Sequence, residues 1–188
     1  MERFRGRADL ALDDIGVRQA EAAAEVLSRF GVAALYSSPL RRALMTAQIL
    51  ASRLRFTVQP LDGLIDIDFG DWQGLSPKEA SEQDSELYKK WLEHPHEIRF
   101  PQGESLQDVR NRVTAVVADL VQKHSEQTVA LVSHNVVCRV LICFVLGLDN
   151  SHLWQVAQDV AAINIFEVTE GKPVLILLND ICHLKHLG

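Results

Sequence analysis

Between Val129 and Arg139 the chain reads VALVSHNVVCR: a short apolar run ends at Ser133-His134-Asn135, and a second apolar run with helical spacing begins at once. An uninterrupted apolar run fits a strand buried on both faces, which a parallel sheet under helices provides. The break therefore predicts a strand-to-helix turn with His134 at its apex. Open α/β sheets bind ligands outside the carboxyl ends of their strands, and the amides that open the next helix favour anions. A histidine there is sited for phosphate chemistry; helix capping is the plainer role for a lone one.

The same design recurs upstream. Asp13-Asp14 precede an Ala-rich amphipathic stretch, Ile15 to Phe30, with Gly31 as its stop, which predicts a capped helix. Ala33 to Ser37 predicts a buried strand, and Pro39 then opens a helix through about Leu54. Arg41 and Arg42 fall in the first turn of that helix. Arg42, followed by the small Ala43, Thr46 and Ala47, faces the sheet and is the candidate for gripping a phosphoryl group; Arg41 is a solvated charge. Thr57 to Pro60 predicts a short strand, and Leu64 to Gly74 (LIDIDFGDWQG) a loop without sustained period. Ser76 begins a polar helical insertion, and residues 75–103 read as lid-like. Glu104 to His124 carries a helical apolar stripe, Val136 to about Leu146 a helix, and Ala161–Thr169 and Pro173–Leu178 a hairpin across Glu170-Gly171-Lys172. Alternating strands and helices predict an α/β fold with a mainly parallel sheet covered on both faces and an antiparallel pair at its edge.

Length and charge bound the rest. The 188 residues suffice for a single domain, 1–188, and no apolar run approaches the ~20 residues of a membrane helix. The formal charge of -6 argues against a nucleic-acid partner, so any anion site is local. Cys138, Cys143 and Cys182, an odd number in apolar surroundings, read as reduced thiols and place the protein in the cytoplasm. His94-Pro95-His96 lacks the supporting ligands of a metal pair. Leu153 and Trp154 read as core, and Arg3, Arg5 and Arg7 as a basic cluster at a solvated terminus; Arg5 is a candidate for holding an anionic substrate. Glu104-Ser105 reads first as a helix cap.

Four segments in order, SSPLRRALMTA, LIDIDFGDWQG, FPQGESLQDVRNRV and VALVSHNVVCRVL, with FRGRADLALDDIG ahead of them, resemble the histidine phosphatase superfamily, its phosphoglycerate-mutase-like branch. The resemblance covers nearly the whole chain. It implies a three-layer α/β/α sandwich and a phosphomonoesterase acting on a small phosphorylated metabolite through a phosphohistidine, with inorganic phosphate as product and neither metal nor cofactor. By motif, His134 is the second, phosphate-binding histidine and Arg42 the second arginine, with Asn135 beside them. The acid falls on Asp66, where the family usually has Glu. Glu104 and Ser105 fall on a loop near the mouth of the pocket and are candidates for substrate binding. In the family, the first strand and the Arg-His-Gly that supplies its nucleophile come immediately before the segment that here reads Met1 to Gly6, and the resemblance finds no counterpart for them in these residues. The expectation is an impaired or inactive chain, either an amino-terminal truncation, the favoured reading, or a natural relic; a homodimer or domain swap would cover the sheet. A phosphatase is expected before a phosphoglycerate mutase, and the opposing reading is a non-catalytic phosphate-binding or interaction protein.

Overall fold

In the computed structural model, residues 3–187 are described. Helix α1 (Asp14–Leu27) leads to strand β1 (Val32–Ser37), helix α2 (Arg41–Leu54) and strand β2 (Val58–Pro60). Two short helices, α3 (Pro77–Gln83) and α4 (Ser85–Glu93), precede the long α5 (Leu106–Lys123), strand β3 (Thr128–Val132) and α6 (Asn135–Val145). The chain closes on β4 (Ile163–Thr169) and β5 (Lys172–Asp180).

Strands β2, β1 and β3 form a parallel sheet in that order, with Ser37 level with Val132. Alternation splits their side chains between two layers. Leu35, Ala130 and Val132 pack with Ala24 of α1 and Ala47 and Leu50 of α2; Ala34, Tyr36, Val129 and Leu131 pack with Val109 and Val113 of α5 and Val137 of α6. The result is the expected three-layer α/β/α sandwich with a mainly parallel sheet.

β4 and β5 form the expected hairpin, but it is a separate two-stranded sheet. Its turn, Glu170-Gly171, has positive φ at both residues, the backbone hand that matches strand twist in a two-residue connection. One cavity of about 2140 Å³ is lined by every residue of β3 and β4, by Ala20 and Ala23 of α1 and by Val137 and Leu141 of α6. β3 thus pairs with β1 on one edge and faces the cavity with the other.

Local chemistry moved several predicted boundaries. α2 begins at Arg41 rather than Pro39, because Leu40 is extended and the Asp9 carboxylate accepts the Arg41 amide at 2.7 Å, ending the turn two residues later. The polar insertion is broken at Asp84, whose amide closes α3 on the Ala80 carbonyl while its carboxylate caps α4 at the Leu87 amide. The Leu64–Gly74 loop starts at the end of one 3-10 turn (Asp62–Leu64), contains a second (Gly70–Trp72) and buries its apolar side chains: Leu64, Ile67, Phe69 and Trp72 all lie in the core. Gly70 is required there, at φ +51°, since a Cβ would lie 1.9 Å from the Pro101 carbonyl oxygen.

The amino-terminal segment is docked, contrary to the solvated terminus expected of its arginines. Phe4 exchanges backbone hydrogen bonds with Gly74 and Leu75 and stacks edge-on against Phe69 and Trp72. Arg3 donates to the Gly74 carbonyl, and Arg7 pairs with Asp68 and Glu104. Among the described residues, Arg5 alone of the three is exposed without a side-chain partner. Trp154, expected in the core beside Leu153, is 40% exposed: its indole N–H donates to the Trp91 carbonyl, and Arg139 covers its ring. Among the described residues, no helix is long and apolar enough to cross a membrane.

Candidate active site

Because β1 and β3 are parallel neighbours in register, the turns that follow them open side by side. Arg42 stands in the first turn of α2 and His134 immediately before α6, so both project from the carboxyl edge of the sheet into the cavity. His134 makes no side-chain cap to α6. Its Nε2 instead shares a hydrogen bond of 2.7 Å with the Ser38 hydroxyl, and both groups are buried.

Asp66 bridges the two. Its Oδ2 accepts from Arg42 Nη2 at 2.9 Å and lies 3.7 Å from His134 Nδ1, and its Oδ1 accepts the Ile67 amide at 2.9 Å. Arg42 also donates to the carbonyls of Gly6 (2.7 Å) and Ala8 (2.8 Å). Three of the five N–H groups of a guanidinium are thereby engaged, and two remain for an anion in the cavity. The side chains of Arg42 and Asp66 are 16% and 13% exposed, dry enough for the charges to act strongly.

Burial sets the protonation states. Desolvation raises the Asp66 carboxyl to about 6, against the lowering pull of Arg42, the Ile67 amide and Arg112. Desolvation also lowers His134 to about 3, assisted by the charges of Arg42 and Arg112. The imidazole is neutral at every ordinary pH, while Asp66 holds a proton below about pH 6 and loses it above. A protonated carboxyl beside a guanidinium can hand its proton to an oxygen that arrives there. Cys138, which also lines the cavity, is pushed up to about 12 by burial and by Asp66, so its thiol stays protonated.

The other site candidates fall around this centre. Arg5 lines the same cavity at its exposed mouth. Asn135 lines it too, but its amide group donates to the Gln158 carbonyl at 2.7 Å and accepts from Arg139 Nε at 2.8 Å. Glu104 is turned inward, paired with Arg112 and Arg7 and accepting the Asp68 amide. Ser105 caps α5 in a reciprocal pair with Asp108, its capping role. Arg41 is exposed, as its reading as a solvated charge requires. Two histidines line the cavity, His134 and His124; His124 lies past the opposite end of β3, bonded to Tyr36 and Gln127. Among the described residues no three His, Cys, Asp or Glu side chains converge on a metal-holding position. Sequence reasoning missed Ser38 and Arg112. Ser38 could have been found from SSPLRR, a hydroxyl at the strand end beside Arg42.

Comparison with known proteins places the chain in a family. The family model described as "Histidine phosphatase superfamily (branch 1)" matches residues 1–181. Phosphoserine phosphatase 1 of Hydrogenobacter thermophilus is 37% identical over 182 residues, covering 97% of this chain and 86% of that protein. The structure of YhfR from Bacillus stearothermophilus superimposes with a TM-score of 0.93 at 28% identity, over 97% of this chain and 91% of its own. Mycobacterial glucosyl-3-phosphoglycerate phosphatase in complex with inorganic phosphate superimposes with a TM-score of 0.88 at 28% identity, over 97% and 93%. Residues, geometry and relatives converge on a phosphatase-type enzyme: the chain belongs to the histidine phosphatase superfamily, branch 1.

Proposed function

We propose that this chain binds small phosphomonoesters, and the inorganic phosphate they release, in the cavity between Arg42, His134 and Asp66, and that hydrolysis through a phosphohistidine is impaired. The observation that carries the reading is the bridging carboxyl of Asp66, in contact with both the guanidinium and the imidazole. Arg42 supplies two free N–H groups to the phosphoryl oxygens, His134 a neutral ring on the other side, and Asp66 the proton for the leaving oxygen. Asn135 stands as a further phosphate contact and Arg5 as the substrate side of the mouth, whereas Glu104 and Ser105 are engaged by Arg112 and Asp108. Of these, Arg5 is the strongest, its charged group having no side-chain partner among the described residues. The 75–103 segment forms a wall of the cavity through Tyr88, Trp91 and Leu92 and shapes the side where the leaving group would lie.

The partners of the two histidines that line the cavity support the impaired reading. His134 is tied to Ser38, and His124 stands beyond the opposite end of β3, bonded to Tyr36 and Gln127. In the test, inorganic phosphate and vanadate are titrated calorimetrically, and the chain is incubated with a labelled phosphomonoester and assayed for acid-labile phosphoprotein. The expected result is one-to-one oxyanion binding, strongest below about pH 6 and weakening above it as Asp66 ionises, repels the ligand and competes for Arg42, with no acid-labile label. Absence of binding removes the reading; label on a histidine removes the impairment.

We further propose a single domain spanning 1–188, in the cytoplasm, the latter supported by three thiols of which none is in a disulfide. The free edges of β3 and β4 leave backbone N–H and C=O groups facing one cavity, a costly arrangement that a strand from a second copy would relieve. Sedimentation velocity is expected to give a dimer. A monomer across the concentration range would rule that out.

A further inference from the structure

Arg112 leaves α5 toward the turn that carries Asp66, and every one of its five N–H groups meets an acceptor. Nη1 donates to the carbonyls of Gly63 (2.9 Å) and Ile65 (2.6 Å), and Nη2 donates to the carbonyl of Asp66 itself (3.2 Å). Nε and the second Nη2 hydrogen go to the two oxygens of Glu104 at 3.0 and 3.1 Å, a two-point fork. Glu104 in turn accepts the Asp68 amide, so the pair grips the chain on both sides of Asp66. The turn lies hard against α5: a Cβ on Gly63 would sit 2.3 Å from Val116 Cγ2 and 3.2 Å from the Arg112 carbonyl oxygen. The side chains of Arg112 and Glu104 are 18% and 17% exposed, so water competes little for these bonds.

We infer that Arg112, held by Glu104, is a positioning residue for Asp66, fixing its carboxyl between Arg42 and His134. The inference rests on the reading of Asp66 as the acid of this site, and it gives Glu104 a task different from touching substrate. A guanidinium suits the task because its planar fork spans three carbonyls and a carboxylate at once; an ammonium carries the charge without that geometry. The charged and titratable groups facing Asp66 are Arg42 from α2, Arg112 from α5, and His134 and Cys138 from α6 and the turn before it. Arg112 is one of the two cations that pull the Asp66 titration down.

The test is an NMR titration of the full, unliganded chain, following the His134 ring protons, with assignment of the Asp66 step by its loss in Asp66→Asn. In the wild type the ring, 3.7 Å from Asp66, reports the carboxyl as an inflection near pH 6. In Arg112→Met the inflection is expected to shrink to roughly half and to move up by about one pH unit, since a nearby cation is lost. Arg112→Lys is expected to restore the midpoint but not the amplitude, and to bind vanadate about tenfold more weakly than wild type. A merely structural arginine would move the midpoint through its charge alone and leave the amplitude unchanged in folded variants, and an unchanged amplitude overturns the inference. Should both Arg112 variants fail to fold, Glu104→Gln, which keeps every heavy-atom position, decides by the same amplitude: reduced supports, wild-type overturns. Failure of wild type to bind vanadate would strike the proposed function instead, while the ligand-free titration still judges Arg112.

Discussion

Arg42→Met is expected to weaken phosphate and vanadate binding about a hundredfold, about 2.8 kcal/mol, while Arg41→Met on the same helical turn leaves both affinities unchanged. The difference lies in surroundings. Arg42 is mostly buried and keeps two N–H groups for an oxyanion, whereas Arg41 is exposed and its charge is screened by solvent. Met preserves much of the stem, so the loss reports the guanidinium. The same substitution frees the carbonyls of Gly6 and Ala8 and removes the cation hydrogen-bonded to Asp66, so the segment at 6–8 should loosen and Asp66 should hold its proton to higher pH. Isothermal titration of both variants checks the first claim. Equal affinities for wild type and Arg42→Met would remove this residue from the pocket.

Trp72→Ala carries the largest expected cost in stability, about 4 kcal/mol. The indole is fully buried and meets Phe4, Tyr88 and Phe100, so one side chain ties the docked amino-terminal segment, α4 and the turn before α5 to the loop that carries Asp66. Its removal leaves a cavity among rings held by their neighbours and unable to collapse into it. For a chain of this length the loss should lower the thermal midpoint by roughly 8 to 16 °C, read by calorimetry. A drop of only a degree or two would mean that the loop is held by its hydrogen bonds rather than by this aromatic cluster.

Much of this was legible along the chain because it depends on short-range periodicity. The strand ending at Ser37, the strand ending at Val132 and the helices after them followed from apolar runs, turn residues and the 3.6-residue stripe of α5. Arg42 was separable from Arg41 because small residues at 43, 46 and 47 mark the face turned to the sheet. Errors gathered where a side chain from elsewhere in the chain decides. Asp9 delays the start of α2, and Phe4 and Arg7 find partners some seventy residues on, beyond the reach of any local window.

What the sequence determined by itself was the kind of fold, the sheet edge at which chemistry gathers, and the residue types that wait there, since each follows from neighbours within a helical turn or a strand. Only the tertiary structure decided that Asp66 touches both Arg42 and His134, that burial raises its proton affinity, and that Arg112 and Glu104 hold it in place. Those contacts join positions 24 to 68 residues apart, and their strength comes from shared exclusion of water, a property of the folded whole that no stretch of the chain possesses alone.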